Sequence, residues 1–209
     1  MKRRTLLAAA PALFATLLSA CGAPDAATNT ATSAPSAQPT SVSQSTVASQ
    51  PTAIPQPTIA AATTGPAAPE LTGGGEWINS QPLTLEGLRG QVVLVQFWTY
   101  GCYNCRNTLG HVQEWWQAYK DKGLVIVGVH TPEFSSERDL GNVQRATEDL
   151  GVSWPVILDN DKQIWRAYRN NYWPRFYLVS KQGQIVYDHI GEGAYDETAR
   201  QIEAALAVE

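Results

Sequence analysis

Three histidines, three cysteines and a single methionine, the initiator Met1, leave this 209-residue chain little material for metal chemistry. A zinc site needs four ligands, and His111, His130 and His189 stand at no ligand spacing from the one Cys-x-x-Cys pair. Copper(I) handling wants soft thioethers, and none remains once Met1 is gone. Basic charge is scarce as well: 15 Lys and Arg stand against 19 Asp and Glu. Nucleic acid is excluded as a partner, because phosphate affinity requires clustered cations. The apolar run at residues 5–18 contains Pro11 and is fourteen residues long, whereas a membrane-spanning helix needs roughly 20.

That short run follows Lys2, Arg3 and Arg4, and "LSAC" ends it at Cys21. A positive start, a short apolar stretch and small residues before a cysteine make an export leader. The ending resembles the lipobox of bacterial lipoproteins, which implies cleavage before Cys21 and lipid on its sulfur; an ordinary signal peptide is the alternative. Removing the leader takes the formal charge from −4 to −7. The mature chain is expected in the cell envelope, outside the cytoplasm and lipid-anchored to the membrane, where disulfides persist.

Residues 21–75 have almost nothing to bury. After Cys21 the stretch has no aromatic residue, only Asp25 and Glu70 as charges, and eight of the thirteen prolines. Such a composition cannot offset chain entropy with a core, so a disordered linker is expected, spanning on the order of 40 Å.

The folded domain is expected over 76–209. "QVVLVQFW" (91–98) and "GLVIVGVH" (123–130) read as strands buried on both faces. Between them, Leu109, Val112, Trp116 and Tyr119 recur at helical spacing over 103–121. A helix is predicted over 135–151 with Ser at its cap, a short strand over 154–159 and a short helix over 162–168. A hairpin over 175–191 and a closing helix over 196–207 complete an α/β layer fold with a mixed central sheet flanked by helices. The first two strands, joined by a crossover, are parallel, so "TYGC" and "HTPEF" share one sheet edge.

Cys102 and Cys105 lie at that edge. If Cys21 carries lipid, they have no other thiol to pair with. A disulfide closing so small a loop removes little unfolded-state entropy, so stability is a poor reason for it. At a strand-to-helix junction, however, the first sulfur meets unpaired amides and the helix dipole, which favour thiolate. The second sits one turn further in, placed to resolve a mixed disulfide. The chemistry indicated is thiol–disulfide exchange, with a redox-active Cys102–Cys105 disulfide and no other cofactor.

"VVLVQFWTYGCYNCRNTL", "GVHTPEF", "ERDLGNV", "DNDKQIWRAYRNNYWPRFYLV" and "GEGAYDET" resemble the TlpA/ResA-like thioredoxin superfamily, and within it the thioredoxin-like domain of DipZ-type envelope proteins. The resemblance implies a thioredoxin-like fold with an αβ insertion at about 132–158 and short N-terminal strands. It implies that Cys102 attacks and Cys105 resolves, that Trp98 packs beside the site, and that Trp173-Pro174 is a cis-proline loop facing it. Thioredoxin carries a buried Asp two residues before this tryptophan; here Gln96 stands there and cannot carry a proton. His130 and Glu133, on the same sheet edge, are candidate replacement bases, with strand-end packing as the alternative for His130. Gly110 stands where a proline usually kinks the helix. Expected partners are exported thiol or disulfide proteins and a membrane electron-donor protein.

The resulting expectation is a membrane-tethered disulfide reductase serving exported proteins, with cytochrome c maturation as one destination. Two alternatives stay open. A thiol peroxidase wants P-x-x-x-[ST]-x-x-C, of which Thr99 and Cys102 satisfy half while Val95 replaces the proline. A redox-inert binding module would leave both cysteines idle. The direction of electron flow is also open, since such sites range from about −270 to about −120 mV.

Overall fold

The computed structural model describes residues 64–208. The expected leader, Cys21 and the expected linker up to residue 63 lie outside the described residues.

Among the described residues, ten strands and α-helices follow in chain order: β1 (Trp77–Ile78), β2 (Val92–Trp98), α1 (Tyr103–Tyr119), β3 (Leu124–His130), α2 (Leu140–Asp149), β4 (Val156–Leu158), α3 (Gln163–Ala167), β5 (Arg175–Val179), β6 (Ile185–Ile190) and α4 (Tyr195–Ala207). One six-stranded sheet runs β1-β4-β3-β2-β5-β6. β2 pairs parallel with β3, and β3 with β4, while β1, β5 and β6 join antiparallel. This is the mixed α/β sheet that the order of strands and helices predicts.

β2 is central, and all seven of its residues are buried. Its alternation sorts the core into two layers. Val92, Leu94 and Trp98 face α1, α2 and α4 through Leu109, Val112, Trp115, Val143 and Ile202. Val93, Val95 and Phe97 face Ile164 and Trp165 of α3 together with Leu71, Leu85 and Leu88. Each such side chain contributes about 1.5–3 kcal/mol on full burial. Gln96 is the polar exception within this strand.

Two expectations need correction. The domain begins before residue 76. Ala67 bridges to Gln184, the Ile185 amide donates to the Pro66 carbonyl, and Leu71 is buried in the second layer. Glu70, read as linker, accepts the Leu85 and Glu86 amides at 2.8 and 2.9 Å. A low-aromatic composition hides these attachments because most of them are backbone hydrogen bonds, which any residue can make.

The helix expected over 135–151 is two pieces. Ser135–Arg138 is a single 3₁₀ turn, and α2 begins only after Asp139, whose carboxylate accepts the Asn142 amide at 2.9 Å. The true N-cap is therefore Asp139. Glu137 turns inward instead of sitting on an exposed first turn. α1, by contrast, runs unbroken through Gly110, as the missing proline predicts.

Candidate active site

β2 and β3 end together, Trp98 opposite His130, and the loop Thr99–Gly101 turns the chain into α1. Cys102 occupies the N-cap of α1 with extended backbone angles (φ −72°, ψ 117°). Its Sγ accepts the Cys105 amide at 3.3 Å, so the sulfur takes the capping place that a Ser or Asp oxygen usually fills. Both cysteines are free thiols.

The two sulfurs have different environments. Cys102 is half-buried and opens onto a cleft of about 350 Å³, lined with Glu133, Phe134 and Trp173 among others. Hydrogen bonding from Cys105 lowers its pKa from 9.0 to about 7, against the opposing effects of partial burial and the Glu133 charge. Cys105 is fully buried. Burial first, then its hydrogen bond with Cys102, pushes its thiol far above the ordinary range. The environment of one sulfur thus favours thiolate near neutral pH, and that of the other favours the protonated thiol.

The remaining predicted residues distribute around this pair. Trp98 lies buried in the same apolar layer as Cys105, its ring edge-on to His130 at 5.4 Å. Trp173 forms one wall of the cleft, and the Trp173-Pro174 bond is cis. Its indole N–H donates to the Thr131 carbonyl at 3.1 Å, and its ring packs on Trp165 at 4.2 Å. Asp159, at the end of β4, supports that wall by accepting the Ile164 and Trp165 amides of α3.

His130 and Glu133 separate. Glu133 lies in the cleft, and its charge acts on both thiols. His130 is fully buried, 3.2 Å from Thr99 Oγ1 and stacked under Tyr100 at 5.7 Å. Burial drives its pKa down to about 4, which keeps the ring neutral above that. It is not among the residues lining the cleft. Gln96 is buried with both side-chain polar atoms unpartnered, so no carboxylate stands at that position.

Sequence reasoning overlooked Glu137 as a site residue. The residue is 1 % exposed, and its carboxylate accepts amides from Gly101 at 3.0 Å, Glu133 at 2.7 Å and Phe134 at 2.9 Å. An acid early in a predicted helix reads as a solvated dipole partner, and nothing in local periodicity marks it as buried.

Among the described residues no group of three or more His, Cys, Asp or Glu side chains converges to hold a metal. A family model described as AhpC/TSA matches residues 64–188. The chain belongs to the AhpC/TSA family. It is 44 % identical over 142 residues to Protein DipZ of Mycobacterium bovis, covering 66 % of this chain and 20 % of that protein. It therefore spans about a fifth of the DipZ length. Thiol-disulfide oxidoreductase YkuV of Bacillus subtilis is 29 % identical over 140 residues, which cover 66 % of this chain and 93 % of YkuV. Among solved structures, the thioredoxin domain of a thiol-disulfide oxidoreductase from Bacteroides vulgatus superposes with a TM-score of 0.56 at 28 % identity, covering 67 % of this chain and 95 % of that one. The fold of this AhpC/TSA member is thioredoxin-like, and the names of two of these relatives state the chemistry that its paired thiols suit.

Proposed function

We propose that this chain is a thiol–disulfide oxidoreductase of the cell envelope, lipid-anchored through Cys21, that reduces disulfides of exported proteins. The observation that carries the reading is the pairing of an activated, cleft-facing Cys102 with a protonated Cys105 buried one turn behind it.

The reaction has two exchanges. The Cys102 thiolate attacks one sulfur of a substrate disulfide; the S–S bond breaks, and the departing sulfur leaves as thiolate. Cys105 then loses its proton and attacks Cys102 Sγ, releasing the second substrate thiolate and forming the Cys102–Cys105 disulfide. Two electrons pass to the substrate, and a membrane dithiol protein restores them. Glu133 is the proton acceptor this reading assigns to Cys105, because it is the carboxylate of the cleft. His130 serves packing: a buried imidazole with a pKa near 4 is a poor base at pH 7. Apocytochromes are one class of exported substrate that this chemistry would serve.

Family membership keeps thiol peroxidase in view, but Thr99 argues against it. Its hydroxyl is engaged with His130, and Val95 stands where that motif needs proline. Insulin-disulfide turnover with little peroxide consumption is expected; the converse result would favour the peroxidase.

Cys105→Ala, expressed in its own envelope, should stall at the first exchange and carry a covalently trapped partner released by reducing agent. Cys102→Ala should trap none. Trapping by Cys102→Ala would reverse the roles, and trapping by neither would remove the redox reading.

A further inference from the structure

We propose that Glu137 is a positioning residue for the exchange reaction: its buried carboxylate clamps the two walls of the Cys102 cleft together and fixes the nucleophile at the helix cap. This rests on the reading of Cys102 as the attacking thiol.

The geometry is specific. Oε1 accepts the amide of Gly101, the residue before Cys102, at 3.0 Å. Oε2 accepts the amides of Glu133 and Phe134, which line the facing wall, at 2.7 and 2.9 Å. One carboxylate thus closes three backbone donors from two loops that adjoin nowhere in sequence. A second link runs in parallel, from the Tyr100 hydroxyl to the Ser136 carbonyl at 3.1 Å. Gly101 is shaped for the clamp, because a Cβ there would lie 2.3 Å from Oε1. Any side chain at 101 drives the carboxylate away.

What the clamp holds is the phase of the loop that enters α1. Cys102 Sγ accepts the Cys105 amide only while residues 99–102 keep their turn, in which the Cys102 amide donates to the Thr99 carbonyl at 3.3 Å. If Gly101 is released, the sulfur is free to rotate off the cap, and its thiolate loses the Cys105 hydrogen bonds, from the side chain first and then from the amide, that stabilise it. The charged and titratable groups facing Cys102 are Cys105 from α1 and Glu133 from the loop after β3; Lys162, beside α3, lies over Trp173 at 4.9 Å. None of these contacts is made by Glu137 itself, so its effect passes through the backbone.

The decisive measurement is the pH dependence of Cys102 alkylation in the full-length chain, with Glu137→Gln and Gly101→Ala as independent breaks of one contact. Asp139→Ala serves as the control, since it removes a cap two residues away without touching the Cys102 loop. Glu137→Gln and Gly101→Ala should each move the midpoint up from about 7. A rise of one pH unit would slow alkylation at pH 7 roughly five-fold, because the thiolate fraction falls from half to about a tenth. The double variant should be no slower than either single one, as two breaks of one contact must be. Asp139→Ala should keep the wild-type profile even if it unfolds at lower denaturant. A wild-type midpoint near that of a free thiol would overturn the reading of Cys102, and the clamp with it. A wild-type midpoint near 7 that both variants leave unchanged would overturn the clamp alone.

Discussion

Above the first turn of α1 the protein is open to solvent; beneath it the sheet is dry. The upper region holds Cys102, Glu133 and the rim side chains Tyr103 and Phe134, which are 75 % and 58 % exposed. The lower region holds Cys105, Trp98, His130 and Gln96, all with no exposure. Two identical thiols three residues apart acquire opposite chemistry from this layering. Hydrogen-bond donation at the cap favours the anion above, and the absence of solvent favours the proton below. The asymmetry that a two-step exchange requires is thus a matter of depth along one helical turn.

The most direct way to break this comparison is to ask each thiol for its thiolate. At pH 8 in the native protein, iodoacetamide should modify Cys102 and spare Cys105, with rates differing by at least roughly a hundred-fold. Cys102→Ala should leave the folded chain nearly inert until denaturant exposes Cys105. Peptide mass mapping over time checks both. Comparable labelling of the two sulfurs in folded protein would mean that Cys105 is not sealed beneath the turn.

The dry region makes its own prediction through His130. Its folded pKa of about 4 lies below the ordinary 6.5, so the unfolded state binds the proton more readily between those values. The neutral ring's contribution is fully present above pH 6.5 and is lost as pH falls through 4. The loss on acidification is about 3 kcal/mol. His130→Gln should therefore show a shallower decline in urea midpoint between pH 7 and pH 4 than the wild type, whatever its stability at pH 7. Parallel declines would place the acid sensitivity elsewhere in the protein.

The dry region was also the more legible one. The apolar runs of β2 and β3 announce buried strands, their order announces the sheet edge, and Cys-x-x-Cys at a strand-to-helix junction announces the site. What escaped was polar and non-local. Glu137 and Glu70 each sit in an unremarkable stretch, and each is used by amides from a distant loop: Gly101 is 36 residues from Glu137, and Leu85 is 15 from Glu70. A carboxylate that satisfies backbone donors leaves no periodic signal, because its partners are groups every residue carries. His130 shows the limit from the other direction. Its position on the correct edge was readable, while its burial under Tyr100 and against Trp98 depends on packing that spacing does not encode.

The smallest expected effect sharpens the wet side of the comparison. Glu133 opposes the Cys102 thiolate by like charge, while being the carboxylate proposed to receive the Cys105 proton. These two roles have opposite signs, so one substitution separates them. Glu133→Gln removes the opposing charge, and the alkylation midpoint of Cys102 should move below 7 by a few tenths of a pH unit. At pH 6 this should quicken alkylation by roughly two-fold or less, because the Glu133 carboxylate is exposed and its charge is screened by solvent. Raising the salt concentration should shrink the difference, because the charge acts through solvent. If Glu133 also serves Cys105, the same variant should turn over disulfides more slowly even though its nucleophile is better ionised. Faster alkylation with faster turnover would leave Glu133 only an electrostatic part, and water would be the acceptor of the buried proton. Slower turnover with quicker alkylation would tie the exchange to a base that belongs to the cleft and reaches across the turn to the thiol beneath it.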